Sequence, residues 1–126
     1  MSVMEKIESH RDLKVWQKGM DLAAEAYRLA KLMPRTEEFR LTSQLLRAAA
    51  SVPANLAEGH ARGTRKDYAN FVSIARGSLA ETETFLLLAV RAELLTEQQT
   101  QKALELATEL GKMLTVLRQR LNTNPR

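Results

Sequence analysis

The chain has 126 residues, with 19 Lys and Arg against 15 Asp and Glu, and its formal net charge of +4 is compatible with nucleic acid without requiring it. Cysteine is absent, which excludes a disulfide framework, a thiolate zinc site and a cysteine nucleophile. The 44% hydrophobic content comes mainly from Leu and Ala with only 5% aromatics, a mix that favours helices over strands in one domain. The longest apolar run, Phe85 to Val90, is too short to span a bilayer. Charged residues from Glu5 through Lys14 interrupt any secretory core at the N-terminus. A soluble cytoplasmic protein with no membrane association is the expectation.

Residues 1–11 are polar and expected to be loose. From Asp12 an amphipathic helix is predicted, with Leu13, Trp16, Met20, Ala23, Tyr27 and Ala30 at three- and four-residue spacing. Val15, Leu22, Ala26, Leu29 and Met33 form a second stripe about a hundred degrees round the same helix, which Pro34 ends. One stripe can fill a core and the other calls for a further partner, a first hint of a subunit interface. The second helix is expected from Thr36 or Glu37, with Leu41, Leu45, Ala49, Val52 and Leu56 inward and Gly59 and Gly63 at its exit. Thr64 is a suitable N-cap for the third helix, with Asp67 three residues on. That helix carries Phe71, Val72, Ala75, Leu79, Thr82, Leu86 and Ala89 inward and is expected to end near Leu94 or Leu95. Thr96 and Gln99 make a capping box for the fourth helix. Ala103, Ala107, Leu110, Leu114, Leu117 and Leu121 then repeat at alternating four- and three-residue intervals, as in coiled-coil packing. The tail from 123 to 126 is expected to fray. Four helices with short connections predict an all-α, antiparallel, up-down-up-down four-helix bundle over residues 12–122.

The second helix is unusual in the stretch from Arg47 to Gly59. Pro53 removes a backbone donor and crowds the carbonyl of Ala49, so a kink is expected there. Asn55 and Glu58 share one face, with Ser51 a turn back. Together with Arg47 on the same helix and Arg76 and Glu81 on the third, they are candidates for a polar network between helices. Such a network fixes register more than it stabilises. The other readings are solvated charges at the bundle end and a ligand site.

Catalytic patterns are lacking. Glu-x-x-His pairs of a di-iron bundle do not occur, since Ile7 and Ala57 stand three residues before His10 and His60. Asn55 occupies the position before His60 where a helical ribonuclease would want an Arg. No Ser-His-Asp set and no phosphate-binding glycine loop are present. Neither an enzyme, a cofactor nor a metal site is expected. Outward-pointing features are the basic clusters. Arg11, Lys14 and Lys18 begin the first helix, and Arg62, Arg65 and Lys66 surround the start of the third. Both sit at a positive helix end, where cations are disfavoured by about 0.3–1 kcal/mol each. Phosphate contact and a solvated face both remain open, because Asp12, Asp21 and Asp67 dilute the charge. Lys112, Arg118 and Arg120 lie near a helix C-terminus, where the dipole favours them. Trp16, Tyr27 and Tyr68 fit inner faces, which leaves few aromatics for stacking on bases.

Ser51-Val-Pro-Ala-Asn-Leu-Ala-Glu-Gly59 resembles the signature of the four-helix-bundle family encoded in intervening sequences of bacterial 23S rRNA genes. Asp12-Leu-Lys-Val-Trp-Gln-Lys18, Gln44-Leu-Leu-Arg-Ala48 and Ala75-Arg-Gly-Ser-Leu-Ala-Glu81 match it in order. The resemblance implies a barrel-shaped homopentamer, which would use the second apolar stripe of the first helix. The accessory variability protein of diversity-generating retroelements is similar in fold, and binds nucleic acid and a reverse transcriptase through a basic pentamer. Nucleic acid (rRNA, or retroelement RNA or DNA) and a protein partner are the implied ligands, and no catalytic residue carries over. Without nucleic acid, the same features would suit a protein assembly or adaptor module.

Overall fold

The computed structural model describes residues 7–123, so residues 1–6 and 124–126 of the two termini expected to be loose lie outside it. Four helices account for most of the described chain: α1 (Lys14–Ala30), α2 (Leu41–Ala61), α3 (Arg65–Arg91) and α4 (Glu97–Asn122). No strand occurs among the described residues. Each helix packs on the next in sequence, and α1 closes the set against α4, which makes a four-helix bundle. Leu22 and Leu29 of α1, Leu45 and Leu56 of α2, Leu86 of α3, and Leu110 and Leu114 of α4 are fully buried in its core. Each such leucine contributes about 1.5–3 kcal/mol of hydrophobic stabilisation relative to exposure.

The helix boundaries follow local chemistry. Residues 9–11, expected to be loose, begin a capped 3-10 turn, and α1 starts only at Lys14. The Asp12 carboxylate accepts from the backbone N–H groups of Glu8 (2.8 Å) and Ser9 (3.2 Å), while Ser9 Oγ accepts from Arg11 N. Those two N–H donors hold the Asp12 carboxyl below its ordinary range. The second helix also starts later than expected. A separate 3-10 turn, Arg35–Glu37, comes first, and the backbone of Arg40 (φ −118°, ψ −112°) interrupts the path before Leu41. At the end of α3 the chain stops at Arg91 rather than at Leu94 or Leu95. Glu93 takes a left-handed conformation (φ 63°), with Leu94 N–H donating to Ala89 O at 2.8 Å and Glu93 N–H to Val90 O at 3.0 Å. This is a Schellman ending built without the usual glycine. The caps at Thr64 and at Thr96 with Gln99 form as expected.

The helix α2 continues through Pro53, which is buried. Gly19 of α1 faces its ring, where a Cβ would lie 3.5 Å from Pro53 Cβ, an ordinary contact that would accept an alanine. Gly59 is tighter still, since a Cβ there would come within 2.6 Å of Phe71 Cβ. Gly59 therefore sets the close spacing of α2 from α3.

Candidate nucleic-acid interface

A polar seam runs between α2 and α3, but with a different membership from the expected one. Ser51 Oγ and Ser78 Oγ share a hydrogen bond of 2.8 Å across the two helices. Asn55 Nδ2 donates to both the carbonyl and the hydroxyl of Ser51, each at 2.8 Å. Thr82 Oγ1, fully buried, donates to Ser78 O at 2.9 Å. The charged members lie outside this seam. Arg47, Glu58, Arg76 and Glu81 are exposed, and Glu58 pairs within its own helix with Arg62 at 2.9 Å. Arg47, Arg76 and Glu81 have no side-chain hydrogen bond or ion pair among the described residues. Desolvating an Arg–Glu pair costs more than linking two hydroxyls and an amide, so the seam keeps the neutral groups and leaves the charges in water. Ser78 was not anticipated; its place one turn before Thr82 on the inner face of α3 is the signal that could have found it.

The basic residues gather at one end. The close approach of Gly59 to Tyr68 and Phe71 joins the end of α2 to the start of α3. Arg65 donates to the carbonyl of Arg120, joining the start of α3 to the end of α4. The 3-10 turn before α1 packs on α2 at this end. The six predicted cations, Arg11, Lys14, Lys18, Arg62, Arg65 and Lys66, thus meet Arg118 and Arg120, against Glu8, Asp12, Asp21, Glu58 and Asp67, with Glu109 of mid-α4 reaching Lys18. The opposite end balances Arg28, Lys31, Arg35, Arg40, Arg47, Arg91 and Lys102 with Glu25, Glu37, Glu38, Glu83, Glu93, Glu97 and Glu105. The surplus charge of the described residues therefore sits where α1 and α3 begin.

These cations are not equivalent. Lys18 is half-buried and tied to Glu109 at 2.6 Å. Arg62 lies over the Phe71 ring, 5.0 Å from its centre, while holding Glu58. Arg118 donates to Ser73 Oγ at 2.5 Å. Arg11, Lys14 and Lys66 are exposed with no side-chain partner among the described residues, which leaves them free for a polyanion. Arg118 and Arg120, set aside in the sequence as dipole complements, belong to the same surface because α4 ends beside Arg65. The aromatics at this end are inward: Tyr68 is half-buried edge-on to His60 (5.6 Å), and its burial pushes the phenol up. Trp16 is half-buried against His10 at 5.1 Å. Tyr27 departs from expectation, being 54% exposed. The core takes the stripe of Leu22, Ala26, Leu29 and Met33, leaving Met20 and Tyr27 outside.

Among the described residues no three His, Asp or Glu side chains gather as metal ligands would, and no helix is long and apolar enough to cross a membrane. The comparisons agree with this architecture. A solved structure from Bacteroides thetaiotaomicron, a protein of unknown function from the S23 ribosomal protein family, is 30% identical. The likeness covers 86% of this chain and 99% of that one, with a TM-score of 0.77. A search of curated proteins finds no match. The profile of the 23S rRNA-intervening sequence protein family matches residues 11–116. The chain belongs to that family.

Proposed function

We propose that the protein is a non-enzymatic, cytoplasmic accessory protein that binds nucleic acid, structured RNA foremost, through the basic end of an antiparallel up-down-up-down bundle. The observation that carries this reading is the one-ended charge: eight cations to five carboxylates where α1 and α3 begin, against seven to seven at the other end. Cations at positive helix ends cost stability, and a polyanion would offset that cost. Few free aromatics at this end disfavour base stacking and favour reading of backbone and shape. Assembly as a homopentamer would repeat the basic end five times, so that weak contacts sum by avidity.

The test is a fluorescence-anisotropy titration of a labelled RNA hairpin and a matched DNA duplex across a salt series. Affinity that falls steeply with salt supports multi-phosphate contact. Tighter binding of the hairpin at matched salt supports an rRNA context over a retroelement DNA one. The second reading, a protein assembly or adaptor module, is favoured by the exposure of Leu87 and Leu88 on α3. It predicts no binding to either nucleic acid even at low salt.

A further inference from the structure

The free cations of the basic end, Arg11, Lys14 and Lys66, are carried in different ways. Lys14 and Lys66 sit in the first turns of α1 and α3, on regular helix backbone. Arg11 instead lies in the 3-10 turn His10–Asp12, near the start of the described chain. A chain end of that kind ordinarily frays. No residue of the turn is buried, so apolar burial is not what holds it.

Side chains on both sides hold the Arg11 backbone. Ser9 Oγ accepts from Arg11 N–H at 3.2 Å, and Gln17 Nε2, inside α1, donates to Arg11 O at 2.9 Å. The Asp12 carboxylate gathers the N–H groups of Glu8 and Ser9, which closes the turn from upstream. Trp16 meets His10 edge-on, 5.1 Å between ring centres, and steadies the residue before Arg11. The Asp12 carboxyl is lowered first by the two N–H donors and in smaller part by Arg11, whose guanidinium lies near it without forming an ion pair. Both backbone polar groups of Arg11 are thus held by side chains, while its own side chain stays exposed. Gln17 is exposed as well, so its bond to Arg11 adds little to the core.

We infer that Ser9, Asp12 and Gln17 are positioning residues for the nucleic-acid surface: they fix the Arg11 backbone so that its guanidinium meets a backbone phosphate from an ordered mount. An arginine on a frayed end would have to be ordered on binding, a cost that preorganisation removes. The guanidinium is a planar fork of donors that matches phosphate oxygens, so its aim matters more than that of a lysine ammonium. That difference suits a built mount to Arg11. The stretch Asp12-Leu-Lys-Val-Trp-Gln-Lys18 then does more than begin α1, since Asp12, Trp16 and Gln17 all hold the turn that presents Arg11. This role rests on the proposed nucleic-acid reading and adds to it how one phosphate contact is preorganised.

The test is the anisotropy titration of a labelled RNA hairpin over a salt series, on the full chain. Gln17→Ala and Ser9→Ala leave every charge in place. Each should weaken binding about threefold to tenfold at fixed salt, the cost of ordering a freed arginine, and keep the wild-type salt slope. Ser9→Thr retains the hydroxyl and the cap and should bind like wild type. Arg11→Gln should lower the slope, and adding Gln17→Ala in that background should change nothing further. Far-UV circular dichroism melts of all these variants should stay close to wild type, because neither Ser9 nor Gln17 is a core residue. A wild type that does not bind at low salt overturns the nucleic-acid reading and this role with it. Binding that Gln17→Ala leaves unchanged, or weakens equally with and without Arg11, overturns the positioning role and leaves the nucleic-acid reading standing. An Arg11→Gln slope equal to that of wild type, or binding lost only where Gln17→Ala has begun to melt, overturns it likewise. A Ser9→Thr variant as weak as Ser9→Ala removes Ser9 from the mount.

Discussion

The two ends of the bundle are built by the same helices and differ in what they do with charge. At the end where α2 passes to α3, cations outnumber carboxylates eight to five, and Arg11, Lys14 and Lys66 point into water unpaired. At the other end the signs balance, and Glu25 of α1 is buried with its carboxylate held by Arg28. A modest overall charge thus conceals a localised one. For phosphate recognition the local density matters, because charges separated by more than about 10 Å are screened from one another at ordinary salt.

The largest expected effect comes from forcing the basic end apart. Gly59→Val should destabilise the fold by about 3 kcal/mol, since its Cβ has no room beside Phe71. Chemical denaturation would measure it, and a drop in stability under about 1 kcal/mol would mean that α2 and α3 separate there without strain. Next, Arg11, Lys14 and Lys66 changed together to Gln should leave the melting temperature nearly unchanged. They should also flatten the salt slope of duplex binding by about 0.9 for each phosphate no longer neutralised. Lys31, Arg91 and Lys102 changed to Gln at the opposite end should leave that slope alone.

Smaller effects sharpen the contrast. Asn55→Ala should cost about 1 kcal/mol, because its hydrogen bonds to Ser51 disappear, without moving the salt slope. At the balanced end, Glu93→Gly should stabilise by about 1 kcal/mol, since it relieves a left-handed residue at the α3 terminus. The Glu25 carboxyl is held below its ordinary value of 4.5, first by the Arg28 hydrogen bond. A depressed folded pKa gives stability that is present above the unfolded value and lost as pH falls through the folded one. Acid melts of Glu25→Gln should therefore be less pH-dependent below about pH 4.5 than those of wild type.

Helix number, order and most core positions were legible because the apolar spacing of each helix is regular and Thr64 and Thr96 announce their caps. The misjudged boundaries have local causes. Glu93 ends α3 in a conformation that sequence signals reserve for glycine, and Asp12 serves an upstream turn instead of opening α1. The six cations were legible as two clusters; that Arg118 and Arg120 join them depends on which helix ends meet. The polar seam was legible in Ser51 and Asn55, while the charged partners assigned to them were wrong because those residues remain hydrated. Which stripe of α1 fills the core was undecidable from spacing, since both repeat equally well, and only the packed bundle shows Leu22 and Leu29 inward with Met20 and Tyr27 outside.

The most direct test of the one-ended charge is the salt dependence of RNA-hairpin binding, compared between wild type and the two triple-Gln variants. A slope reduced by Arg11, Lys14 and Lys66 substitution and unchanged by Lys31, Arg91 and Lys102 substitution is the predicted result. Equal slopes in all three proteins, or no binding at low salt, would contradict it.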